Sequence, residues 1–129
     1  MEPAVKLVGE EEATGKCKEI YEELKKVLGF VPNTFKAMGH TPEFLESMIN
    51  LDEVTRVSKG EIPRKYRDLI CLAVSAANGC TYCVYAHAAL AKQAGATDRE
   101  IAEALACTAM MSAFNNYNKA LGLKPDIKL

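Results

Sequence analysis

Leu69-Ile70-Cys71-Leu72-Ala73-Val74, followed by Ala76-Ala77, is the stretch on which the fold class turns. Six consecutive apolar residues read as a buried strand or as a buried helix segment, because periodicity alone does not separate the two. The alanines that follow are the strongest helix formers. The segments on both sides also repeat their apolar residues at helical spacing, so the stretch is assigned to a helix. That helix starts at Pro63, is polar for one turn (Arg64, Lys65, Arg67, Asp68) and stops at Asn78-Gly79. Its second half has no solvated face and is expected to be buried.

Helical signals continue outward in both directions. Cys17, Ile20, Tyr21, Leu24, Val27 and Leu28 fall on one helical face, with Thr14 as N-cap and Gly29 as the left-handed stop. Asn33 is expected to cap a short helix reaching Gly39. Thr41-Pro42 opens another that runs to about Val57 before the loop Ser58-Lys59-Gly60. Thr81 to Ala94 is alanine-rich and stops at Gly95. Thr97-Asp98-Arg99-Glu100 caps a long final helix through Ile101, Leu105, Met110, Phe114, Tyr117 and Leu121, closed by Gly122, and a tail begins at Lys124. No repeat and no alternating strand pattern is present. The fold class is all-α, a compact bundle of about six helices.

At 129 residues the chain fits one domain, 1–129. Hydrophobic residues are 49% and charged residues 26%, the balance of a globular protein rather than a disordered one. Sixteen basic against seventeen acidic side chains leave a net charge of −1, with no general attraction to nucleic acid or anionic lipid. No apolar run approaches the roughly 20 residues that span a bilayer. The opening Met-Glu-Pro-Ala-Val-Lys lacks a secretory pattern, so a cytoplasmic location is the expectation. The 69–78 segment, the 84–94 segment and the last helix carry more apolar surface than a small bundle readily hides. The reading is therefore a homo-oligomer, with a well-filled monomer core as the alternative.

Five cysteines are present. Cys17, Cys71 and Cys107 stand alone and read as small buried hydrophobes. Cys80 and Cys83 form a C-x-x-C, which in a reducing compartment is more often catalytic or metal-binding than structural. Gly79 breaks the preceding helix, so Cys80 falls at the start of the next, where unpaired backbone N–H groups favour a thiolate. Cys83 lies one turn on, within reach of a disulfide. His87, four residues later, shares its face and can take a thiol proton directly or through one water. The set comprises a nucleophile, a resolving thiol and a base.

Rival chemistries fit less well. Zinc takes four nitrogen or sulfur ligands in paired spacings, whereas one pair exists here and the second histidine, His40, is remote. Haem attachment requires histidine directly after the second cysteine, where Val84 stands. A thioredoxin-like site sits on a helix after a strand, and no βαβ pattern is found.

Asp68, Cys80, Tyr82, Cys83 and His87 form an acidic-x11-C-x-Y-C-x3-H pattern. It resembles the AhpD-like alkylhydroperoxidase branch of the carboxymuconolactone decarboxylase family, whose usual motif is Glu-x11-C-x-x-C-x3-H. The resemblance runs from Ile62-Pro63-Arg64 to His87, with weaker echoes at Val31-Pro32-Asn33 and His40-Thr41-Pro42-Glu43. It implies an all-α subunit assembling into trimers or hexamers, and an oxidoreductase that reduces hydroperoxides through a Cys80–Cys83 redox disulfide. His87 and Asp68 would then relay a proton from Cys83, the sulfur that meets peroxide. Cys80 would meet a dithiol, thioredoxin-like or lipoyl-protein reductant. No metal or organic cofactor, no nucleic acid and no membrane is implied. Asp68 is one methylene shorter than the family's glutamate and reads equally as an ion-pair partner of Arg64 or Lys65. Tyr82 reads as a hydrogen-bond donor to sulfur or peroxide, or as packing at a subunit contact. The competing functions are a decarboxylase-type lactone enzyme using His87 as acid and base, and a non-enzymatic redox-sensing module.

Overall fold

The computed structural model describes residues 2–127. The ends of the 1–129 span read as one domain, Met1, Lys128 and Leu129, lie outside them. The described residues are all-α: α1 (Gly15–Leu28), α2 (Asn33–Met38), α3 (Pro42–Asp52), α4 (Arg64–Ala77), α5 (Thr81–Gln93) and α6 (Asp98–Leu121). A π-helical turn, Glu53–Val57, continues α3 to the expected end at Val57. The chain divides into two compact units, Met1–Ser58 and Lys59–Leu129.

In the first unit, Thr14 and Thr41 occupy the N-cap positions of α1 and α3, but neither hydroxyl makes a capping bond. The expectation that Asn33 caps α2 is corrected: Pro32 holds the cap position and Asn33 is the first helical residue. Proline at the cap already sets an extended backbone, so helical hydrogen bonds begin one residue earlier. The apolar stripe of α1 buries Cys17 and Tyr21 in a core with Ala13, Val31 and Leu45. The Tyr21 hydroxyl donates to the Val8 carbonyl at 3.1 Å, which meets the need of a buried phenol for a partner. Gly39 is required there by space. A Cβ at that position would stand 2.6 Å from Tyr21 Oη and 2.9 Å from Val8 Cβ.

In the second unit, α4 packs against both α5 and α6. Pro63 is the cap of α4 rather than its first residue. The helix reading of 69–74 is correct, but the expectation of burial on every side is not. Leu72 is fully buried, whereas Ile70 and Val74 are half exposed. With neighbouring helices on two sides only, one face of α4 is left open. A cavity of about 460 Å³ lies along this face, lined by Tyr66, Ile70, Val74, Cys107 and Met111 among others. Cys107 is accordingly exposed, correcting its reading as a buried hydrophobe, while Cys17 is buried and Cys71 partly so.

α6 begins with a reciprocal cap. The Glu100 backbone N–H donates to the Thr97 hydroxyl at 3.1 Å, and the Thr97 N–H donates to the Glu100 carboxylate at 2.9 Å. The same carboxylate receives Lys65 Nζ of α4 at 2.8 Å, tying the two helices at one end. At 24 residues α6 is about 36 Å long, against about 21 Å for the 14-residue α4. Its C-terminal half therefore leaves Met110, Phe114 and Tyr117 in solvent.

Leu72→Ala is expected to lower the unfolding free energy by about 2–5 kcal/mol through the cavity it leaves. Thr97→Ala, which removes one arm of the cap, is expected to cost about 1 kcal/mol. Denaturant titration of both variants measures the two values.

Candidate active site

α4 ends in a left-handed turn that fixes the position of the first sulfur. Gly79 adopts φ 73°, a conformation open to glycine at no steric cost. Its N–H donates to the Ala76 carbonyl at 3.1 Å, and the Cys80 N–H donates to the Ser75 carbonyl at 3.0 Å. This 5→2 and 6→1 pair closes α4 as a Schellman motif. Cys80, whose amide belongs to the end of α4, is at once the N-cap of α5.

At a helix start the free N–H groups carry partial positive charge, which stabilises an anion. The Cys80 sulfur makes no full capping hydrogen bond. Polar hydrogens at Cys83 nevertheless face it. The Cys83 S–H, and behind it the Cys83 backbone N–H, pull the Cys80 pKa below the ordinary thiol value. The donor pays the opposite shift: the hydrogen bond Cys83 gives to Cys80, its partial burial and the negative charge beside it push its own pKa up to about 11. The two thiols titrate as a pair, and the first proton leaves from Cys80. Both cysteines are free thiols and both are partly accessible.

His87 stands on α5 one turn beyond Cys83, with its ring 20% exposed. Across from it on α4, Asp68 is wholly buried. Asp68 Oδ1 lies 3.9 Å from His87 Nδ1, and Asp68 Oδ2 accepts from Arg64 Nε at 2.9 Å. A separation of 3.9 Å exceeds direct hydrogen-bond reach, about 2.6–3.2 Å, so a proton crossing between them needs a water or a small movement. Of the two cationic partners considered for Asp68, Arg64 is the one in contact, and the pair is inside rather than at the surface. Lys65 is taken by Glu100. Tyr82, on the first turn of α5, is close to half exposed.

Thus Cys80 and Cys83 meet, and Asp68 faces His87. The i, i+4 spacing of Arg64 and Asp68 was visible in the sequence, but the burial that gives the pair its weight was not. Among the described residues, no three His, Cys, Asp or Glu side chains gather closely enough to hold a metal ion. No helix of the described residues is long and apolar enough to cross a membrane.

Alkylation with iodoacetamide followed by peptide mapping is expected to label Cys80 before Cys83. The Cys80 rate should reach its plateau at lower pH than that of an ordinary thiol, since its pKa is depressed. In Cys80→Ser, Cys83 loses the main cause of its raised pKa and its alkylation profile should move down from about pH 11. Equal labelling of both thiols in the native protein would contradict the assignment.

Comparison with known proteins gives the family and the fold. Residues 42–123 match the family model described as the carboxymuconolactone decarboxylase family. A relative from Paracoccus denitrificans, named uncharacterized protein 4 in cox locus, is 28% identical over 104 residues, covering 75% of this chain and 93% of that one. The crystal structure of the alkylhydroperoxidase AhpD core from Rhodospirillum rubrum superposes with a TM-score of 0.88 at 27% identity, covering 96% of this chain and 94% of the other. The family match takes in α3 and the whole of α4, α5 and α6, with the cysteine pair at its centre, and on it the chain belongs to the carboxymuconolactone decarboxylase family in its AhpD-like form.

Proposed function

We propose that this protein is a thiol-dependent peroxidase or disulfide oxidoreductase working through Cys80 and Cys83. The observation that carries this reading is the asymmetry of the pair: one sulfur at a helix start with a lowered pKa, its neighbour donating to it with a raised one. A thiolate is the reactive form of cysteine, and a second thiol one turn away is placed to resolve it. The likeness to the AhpD core supports the same chemistry.

In the proposed reaction a thiolate sulfur attacks the terminal oxygen of a hydroperoxide. An S–O bond forms, the O–O bond breaks, and the alkoxide leaves as an alcohol after taking a proton. The second thiol then displaces water from the sulfenic acid to give the disulfide. An external dithiol, small or carried on a thioredoxin-like or lipoyl protein, returns both sulfurs to thiols by exchange. The lowered pKa favours Cys80 as the attacking sulfur. The reverse order, in which Cys83 attacks after His87 takes its proton, is favoured by the one-turn spacing of those two residues.

Peroxide consumption with a dithiol reductant tests the assignment. Cys80→Ser and Cys83→Ser are each expected to lose catalytic turnover, and the variant that still forms one equivalent of sulfenic acid retains the attacking sulfur. Full activity in both variants would refute the proposal. Lactone turnover that survives alkylation of the thiols would favour acid/base chemistry at His87 instead.

We also propose that copies of this chain cover the open face of the second unit, as a trimer or hexamer. Ile70, Val74, Met111 and Phe114 together leave more apolar surface in water than scattered exposed residues normally do. Ile70→Asp is expected to reduce the mass seen by sedimentation to that of a smaller species. A native protein that sediments as a monomer would remove the proposal.

A further inference from the structure

Asp68 is a carboxylate with no exposure to solvent, and such a charge is tolerated only where a counter-charge lies beside it. Arg64 of α4 and His87 of α5 each bring a nitrogen towards it. Arg64 Nε is 2.9 Å from Oδ2, and His87 Nδ1 is 3.9 Å from Oδ1. The nearer one belongs to a guanidinium, which is always charged. The farther one belongs to a ring that gains or loses its proton near neutral pH.

We propose that Arg64 is a positioning residue of this site, balancing the buried charge of Asp68 so that His87 remains neutral and free to accept a proton. The inference rests on the proposed thiol chemistry for its purpose, but not for its test. The reasoning is electrostatic. A buried anion left without its guanidinium recruits a cation from whatever titratable group is nearest, and here that group is the imidazole. Protonated His87 would then form the ion pair itself and could no longer serve as a base at neutral pH.

Other charged or titratable groups stand on the same two helices. On its own helix, Lys65 is held by Glu100 of α6 at 2.8 Å, and Arg67 is the adjacent residue in sequence. On α5, Cys83 one turn before His87 keeps its proton until about pH 11 and is neutral. Arg64 itself reaches the carboxylate from one helical turn away, the spacing at which i, i+4 side chains meet.

The chain has only two histidines, so the test is a histidine NMR titration of the full-length protein, with His40→Gln used to assign the His87 signal. Arg64→Met is expected to move the His87 midpoint upward by about one pH unit, the effect of an unshielded opposite charge within about 4–6 Å. Arg64→Lys, which keeps the charge, should return the midpoint towards wild type. Arg64→Met with Asp68→Asn, which removes both charges, should cancel the rise. A mere loss of packing would not produce a shift of this sign or its cancellation.

If Arg64→Met does not fold, Asp68→Asn alone carries the test from the other side. With the guanidinium retained and the anion gone, the midpoint should fall. A midpoint unchanged or lowered in Arg64→Met, or unchanged in Asp68→Asn, overturns the proposal. In turnover, Arg64→Met should lose up to about tenfold at pH values below both midpoints and recover as the pH rises past the new one, following one unit of displacement. A protein without peroxide turnover that still gives these titration shifts refutes the proposed function and leaves the role of Arg64 standing.

Discussion

The site depends on one backbone conformation, the left-handed turn at Gly79. It lets α4 end and α5 begin within three residues, because Cys80 gives its N–H to the end of one helix while standing at the N-cap position of the next. A β-carbon at 79 would pay the steric penalty of the left-handed region, about 1–2 kcal/mol. More importantly, any relaxation there would move the sulfur away from the electropositive helix start. Cys83 and His87 inherit their places from the same turn, being one and two turns further along a helix whose origin it fixes.

Around this turn the second unit combines a firm interior with open faces. Leu72 and Asp68, neighbours on one face of α4, are both without solvent exposure, one apolar and the other charged. Arg64 sets a guanidinium nitrogen 2.9 Å from the charged one. Lys65, from the same first turn of α4, reaches α6 instead and joins Glu100 and Thr97 in a three-residue staple. Two adjacent cationic residues thus pair differently, Arg64 with Asp68 and Lys65 with Glu100.

Much of this was legible in the amino-acid sequence because it depends on local physics. Glycine stops, the Thr97–Glu100 cap and the three-and-four repeat of α1 each act over one or two turns, and the structure places those helices where the sequence does. The C-x-x-C with histidine at i+4 is local in the same sense. Burial was less legible, because it depends on how many neighbours a helix finds. The 69–74 run looked enclosed, yet Ile70 and Val74 face water. Cys107 had an apolar setting in sequence but an open one in space, and the cap at Asn33 shifted by one residue because Pro32 precedes it. Lys65 pairs with Glu100, a residue 35 positions away, and no local pattern carries that information.

The uneven sharing of protons between the two sulfurs has an electrochemical consequence. Between the lowered pKa of Cys80 and the value of about 11 at Cys83, the reduced pair carries a single proton. Closing the disulfide in that range therefore releases two electrons but only one hydrogen ion. The midpoint potential then falls by about 30 mV for each pH unit, half the slope of a dithiol that keeps both hydrogens. Within that range, a drift in acidity would alter the oxidising strength of this couple only half as much.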